Sequence, residues 1–370
     1  MSILPNEVVQ AHSCEYPDFA LLDYDLADSA NSLLRYSYRP DQSPSIQYVG
    51  EIFGTGAGHA FVHGFAQLAG LAYLTKYDGQ EYVQSYVTDP DRPDFGRAGA
   101  VLSDPALGGL GDGVAIDRVS GRLYLLTNYQ TAIYAIDTRT PAAGAVQLAG
   151  APQTAEQYGQ FGIEVGPDGR VYVLTVNDTV EVYDPARPLG ANYDGVYATG
   201  TGAGPYGGRD IAFGPDGQMY VSGGEAIRRY AGPAGPEPGR FLDAMGISTS
   251  NGEWPHGLTF HPTTGELFVA SFSVSGGIQV YDYAPGNGVA KYRLQHQNPA
   301  NSDGLPKDIQ FLSCADESEP IVSVESVAPT PATAPTILIW PALAGLLVLS
   351  YGLGWLVWRQ RRGERRLSIL

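Results

Sequence analysis

Cysteine is nearly absent: the 370 residues hold two, Cys14 and Cys314. Two thiols cannot build a zinc framework, and no Cys-x-x-Cys spacing occurs. Positive charge is scarce as well. Lysine and arginine total 22 against 39 acidic residues, a formal net charge of −17. Residues 359–370 alone carry five Arg and one Glu, which leaves 17 basic against 38 acidic residues elsewhere. Such a surface repels phosphate backbones, and no basic stripe interrupts it before residue 359, so nucleic acid is not expected as a partner. There is no glycine-rich phosphate loop after a strand and no Gly-x-Ser-x-Gly elbow. Residues 1–14 have neither the basic n-region nor the apolar h-region of a signal peptide. Ala11-His12-Ser13-Cys14 also lacks the apolar residue that a lipoprotein site places three before its cysteine.

Glycine and proline are plentiful, 47 and 27 residues, and fall at turns between short apolar runs. That distribution points to many short strands rather than disorder. Asp210-Ile211-Ala212-Phe213, the turn Gly214-Pro215-Asp216-Gly217, and Met219-Tyr220-Val221-Ser222 form one strand–turn–strand unit. Proline fixes φ near −65° and glycine tolerates positive φ, so the turn has a mechanism. The unit returns at Gly113–Tyr124, Gly162–Tyr172 and Gly257–Phe268. Its turn glycines Gly121, Gly169, Gly217 and Gly265 lie 48 residues apart. A fixed period of this size with several strands per repeat is the signature of a β-propeller.

Inner strands are assigned at Leu71-Ala72-Tyr73, Val114-Ala115-Ile116, Ile163-Glu164-Val165, Ile211-Ala212-Phe213, Leu258-Thr259-Phe260 and Ile309-Gln310-Phe311, which makes six blades. Of these, the copy at Leu71 fits the repeat least well. Residues 15–64 supply two strand-like pieces, Phe19–Tyr24 and Ser32–Tyr36, that enter partway through a blade. The inner strand they need is Lys307–Leu312, so the two chain ends are expected to share one blade and leave no open edge. This closure brings Cys14 and Cys314 to one blade and predicts a disulfide between them. Residues 89–104 and 231–254 read as long insertions. The expected organisation is an N-terminal segment 1–14, an all-β six-bladed propeller over 15–314, a Pro/Thr/Ser-rich stalk 315–336, a transmembrane helix 337–358 and a basic tail 359–370.

Ile337–Trp358 is a run of 22 residues without charge. About 20 apolar residues cross a bilayer core. Trp340, Trp355 and Trp358 sit near its ends, where indole rings favour the interface, and the arginine-rich tail follows it. The positive-inside rule places the tail in the cytoplasm and the propeller outside a cell membrane; the alternative, a tail-anchored cytoplasmic propeller, needs no export signal but runs against the arginine cluster.

The repeat, seen at Asp210–Val221 with Ile227–Tyr230 and at Gly257–Ala270 with Ile278–Asp282, resembles the NHL and SMP-30/gluconolactonase-like propellers over residues 65–313. The resemblance speaks for architecture and not for one activity. Aligning the copies places Ala69, Asp112, Phe161, Arg209, His256 and Lys307 ahead of the inner strands, around one mouth of the channel. Of these, Asp112, Arg209, His256 and Lys307 suit an anionic or carbonyl ligand. Trp254-Pro255-His256-Gly257 is similar to a segment of the streptogramin-lyase propellers, where histidines take part in elimination. The lactonase-like relatives imply a divalent cation held by oxygen ligands, for which Asn128, Asn177 and Glu225 are the candidates. His59 and His63, four apart between glycines, read as a loop rather than a helical metal pair. The expected function is a binding or scaffold module for a protein or extracellular ligand. The alternative is a lyase or metal-dependent lactonase-like enzyme using His256, Arg209 and Asp112.

Overall fold

The computed structural model describes residues 17–312, apart from 26–30, 55–61, 78–80, 103–109, 128–131, 150–159, 176, 203–207, 248–253, 273–276 and 296–303. The predicted segments 1–14, 315–336, 337–358 and 359–370 lie outside the described residues, as do Cys14 and Cys314. Among the described residues no helix is long and apolar enough to cross a membrane. The only helical turn described is a single 3-10 turn at Pro141–Ala143.

Six sheets form the propeller, antiparallel except where a short fifth strand joins blade 5 in parallel. The chain enters through β1 (Phe19–Asp25), β2 (Asn31–Tyr38) and β3 (Ile46–Gly54), the second to outermost strands of blade 1. Blade 2 holds β4 (Val62–Leu68), β5 (Leu71–Tyr77), β6 (Glu81–Val87) and β7 (Ala98–Leu102). Blade 3 holds β8 (Leu110–Asp117), β9 (Arg122–Thr127), β10 (Ala132–Asp137) and β11 (Val146–Ala149). Blade 4 holds β12 (Gln160–Val165), β13 (Val171–Thr175), β14 (Thr179–Tyr183) and β15 (Tyr193–Thr199). Blade 5 holds β16 (Gly208–Phe213), β17 (Met219–Gly223), β18 (Ala226–Tyr230) and β19 (Phe241–Gly246). Blade 6 is built from β20 (Trp254–Phe260), β21 (Leu267–Phe272) and β22 (Gly277–Tyr281). The short β23 (Gly286–Asn287) adds to the rim of blade 5, and β24 (Tyr292–Gln295) completes blade 6. The last strand, β25 (Gly304–Phe311), then returns to blade 1 as its inner strand, paired with β1 from Phe19↔Phe311 to Asp25↔Gly304. The expected closure by the two chain ends is therefore present, and Leu312 extends it by donating to the Asp18 carbonyl at 2.8 Å.

Local chemistry explains the repeat. Gly121, Gly169, Gly217 and Gly265 all have φ between 70° and 76°, the left-handed region that other residues enter at a cost. In two of these turns the aspartate adds a brace. Asp168 accepts from the Tyr172 hydroxyl at 3.0 Å, and Asp216 accepts from the Tyr220 hydroxyl at 2.9 Å.

Apolar side chains on alternating strand positions pack between neighbouring blades, one cluster at each of the six interfaces. Burial of such side chains, worth about 1.5–3 kcal/mol each, is the main force holding blade to blade. At the closing interface Phe19 stacks on Tyr36 at 5.5 Å and meets Phe268 and Phe311 edge-on at 5.3 and 5.7 Å.

Three sequence expectations are corrected. The inner strand of blade 2 is β4, and the run at Leu71 is the second strand. Ala69 accordingly sits in the tight β4–β5 turn at φ 49°, away from the channel mouth. His63, expected in a loop, lies on β4 at the mouth-side register position, whereas His59 is outside the described residues. The insertions at 89–104 and 231–254 contain the outer strands β7 and β19, which complete their blades as fourth strands.

Candidate functional site

The inner strands β25, β4, β8, β12, β16 and β20 adjoin one another around the hub. Each carries a register irregularity at the same place, just before the residue that resumes pairing: Phe65, Val114, Ile163, Ile211 and Leu258, with the counterpart in β25 at Asp308. A bulge re-aims the side chains beside it. Six of them in one ring turn the preceding residues toward a channel.

The channel contains a cavity of about 450 Å³, within the range of small-molecule sites. Arg209, His256 and Lys307, at the bulges of three consecutive blades, line it as the aligned repeats anticipate. The strand position of Asp112 on β8 matches theirs, while its side chain is outside the described portion. The His256 Nδ1 lies 2.6 Å from the Lys307 carbonyl oxygen. A carbonyl only accepts, so Nδ1 carries the proton and Nε2 is the acceptor nitrogen of the neutral ring. The same ring stacks on Phe272 at 5.1 Å. These two contacts fix the imidazole in orientation.

Three carboxylates that the sequence reading did not single out line the same cavity: Glu164, Asp210 and Asp308. Asp210 and Asp308 occupy the position that glycine holds in the other four inner strands. Asp210 accepts from the Ile211 N–H at 2.8 Å and, across the blade boundary, from the Leu258 N–H at 2.7 Å. Asp308 repeats the device, accepting from the Ile309 N–H at 2.7 Å and from the Phe65 N–H of blade 2 at 3.1 Å. Each aspartate thus occupies two backbone donors that a bulge would otherwise leave open. The glycines beside them leave the necessary room. A Cβ on Gly257 would stand 2.7 Å from the Asp308 Cα, and one on Gly162 would stand 3.0 Å from the Asp210 Cα. Ser222 extends the link by accepting from the Asp210 N–H at 2.9 Å and donating to the His256 carbonyl at 3.0 Å.

These carboxylates keep a partly accessible face, but it opens on the channel, where the surrounding chain limits hydration. Burial pushes the Glu164 carboxyl up to about 7; Arg118 and the Val165 N–H oppose this and Asp308 adds to it. Burial raises Asp308 to about 6 against the pull of the Phe65 and Ile309 N–H groups. Asp210 is held well above its ordinary value by burial and then by Asp308. The hub is therefore a layer of partly protonated acids with cationic side chains toward its ends.

The proposed oxygen ligands lie elsewhere. Asn177 and Glu225 are exposed and do not line the channel, and Asn128 is outside the described residues. Among the described residues no group of three or more His, Cys, Asp or Glu could hold a metal ion.

No described protein family matches the chain, and no curated protein does. Solved structures do. The crystal structure of a nidogen/laminin complex contains a chain similar to this one, with 14% identity and a TM-score of 0.58, over 80% of this chain and 100% of that one. A protein of unknown function from Bacteroides caccae is similar at 13% identity and a TM-score of 0.52, over 79% of this chain and 98% of that one. At these identities the likeness is one of fold, the six-bladed propeller.

Proposed function

We propose that the chain is a binding module: an extracytoplasmic propeller of the NHL/SMP-30 kind, tethered to a cell membrane through residues 337–358. Its channel mouth engages a protein or extracellular ligand through Asp112, Arg209, His256 and Lys307. The observation that carries this reading is the hub. Arg209, His256 and Lys307 converge on one cavity from three consecutive blades. Beneath them Asp210 and Asp308 are committed to backbone N–H groups and hold the inner strands in register. A rigid ring with a charged mouth suits recognition, because little ordering remains to be done on binding. A chain that shares the fold was crystallised in a nidogen/laminin complex. The uncharged run and the arginines after it support the tether and its orientation.

A second reading, a lyase or lactonase-like enzyme, draws on the fixed His256 tautomer and on Glu164 near 7, both suited to proton transfer. The two readings separate by mutation of the full chain. For a binding module, Arg209→Ala with Lys307→Ala weakens partner binding at least tenfold, and His256→Ala leaves no lost turnover to detect. An activity abolished by His256→Ala in a folded protein supports the enzyme instead. Partner binding that ignores every mouth substitution refutes the assignment of the mouth.

A further inference from the structure

The cavity presents opposite charges at different depths. Arg209, His256 and Lys307 precede the level of Asp210 and Asp308 by one strand position, and Glu164 lies two positions further in along its own strand. At a strand rise of about 3.3 Å these levels span roughly 3 to 10 Å. A simple anion held at the mouth faces the carboxylates below it. A simple cation drawn to the carboxylates meets the cationic arc on the mouth side and Arg118, which also lines the cavity and acts on Glu164, beyond them. A molecule with both charges meets each at its own depth.

We propose that the channel binds a small zwitterion, with its anionic group at the arc of Arg209, His256 and Lys307 and its protonated amine among Glu164, Asp210 and Asp308. The inference rests on the reading of the mouth as a binding site and names the chemistry that site selects.

Further observations support an amine rather than a metal ion. Each oxygen of Asp210 and Asp308 accepts one backbone N–H, and a carboxylate offers about four acceptor positions, so room for an ammonium donor remains. The described acids also do not converge closely enough to ligate a metal. Burial keeps Glu164 and Asp308 partly protonated, with repulsion from Asp308 adding at Glu164 and Arg118 opposing it, and an ammonium group placed among them favours the charged carboxylates.

The test is isothermal titration of the full-length chain with glycine, β-alanine, 4-aminobutyrate and 6-aminohexanoate, and with butyrate and butylamine as single-charge controls. At least one amino acid is expected to bind tenfold more tightly than either control. Its binding should strengthen from pH 5.5 to 8 and release protons, seen as a heat that changes with the ionisation enthalpy of the buffer. Glu164→Gln, checked for an unchanged fold, should remove the advantage over butyrate without weakening butyrate itself, because it takes away a negative charge that faces the anion. Butyrate binding as well as the best amino acid overturns the proposal, as does an advantage that survives Glu164→Gln. If none of the probes binds while Arg209→Ala with Lys307→Ala still disrupts a larger partner, the zwitterion is refuted and the mouth stands. If neither effect is found, both fall.

Discussion

Replacing Glu164 by glutamine keeps the shape of the side chain and removes its charge from the hub. In the folded chain this carboxyl is held near 7 against an ordinary value of 4.5. At 1.36 kcal/mol per tenfold, the full difference corresponds to about 3 kcal/mol. Water admitted by the channel reduces this, and about 2 kcal/mol is a fair working figure. The folded value lies above the unfolded one, so folding favours the protonated form. The associated stability is fully present below 4.5 and is lost as pH rises through 7. Wild type therefore carries the whole electrostatic cost at pH 8 and none of it at pH 4.5. Glu164→Gln should match wild type at the acidic end and exceed it at pH 8 by about 3 °C in Tm, for a domain of about 300 residues. The assay is the difference between the two thermal transitions across that range, in which titrating groups common to both proteins cancel. Asp308, raised in the same direction, remains in both. Equal losses of stability in the two proteins, or a variant less stable at pH 8, would refute the account of the hub as a cation-poor acid layer.

Two other outcomes follow from the packing and from chain closure. Gly257→Ala should lower stability by about 1–3 kcal/mol, read as a reduced urea midpoint, because the new methyl meets backbone of β25 rather than a movable side chain. Gly50→Ala on the rim strand β3, with no atom within 4 Å of the added carbon, serves as the neutral control. The Cys14–Cys314 disulfide expected from the sequence lies outside the described residues and is open to a direct check. Mass spectrometry after alkylation without reduction should find neither Cys14 nor Cys314 labelled, and labelling of both removes the bond.

The repeat was legible because turn glycines and inner-strand apolar residues answer to strict local demands: a positive φ, and a side chain packed between two blades. The outer strands answer to weaker ones. Val49, Val101, Val146, Val196 and Phe241 all lie on fourth strands and are exposed, so neither periodicity nor composition marks these segments. That is why β7 and β19 passed for insertions. Blade 2 was misread for a related reason: Leu71-Ala72-Tyr73-Leu74 is an apolar run like an inner strand, whereas β4 opens with Val62-His63-Gly64 and hides its start. At the hub, the alignment drew attention to the residues before the bulge and away from the next position. The signal was nevertheless there, two aspartates in a column of glycines and one glutamate among small or neutral residues. Charge at the centre of a propeller has to be held by something, and only the coordinates reveal the backbone donors that hold it.

The return of β25 to blade 1 fixes an order of events during synthesis. β1, β2 and β3 emerge first, yet the edge of β1 stays exposed until residues 304–311 have been made, some 250 residues after β3 ends. The part of the propeller that leaves the ribosome first is thus the last to be finished. During that interval an unpaired, apolar strand is the point at which another nascent copy, or a chaperone, finds purchase.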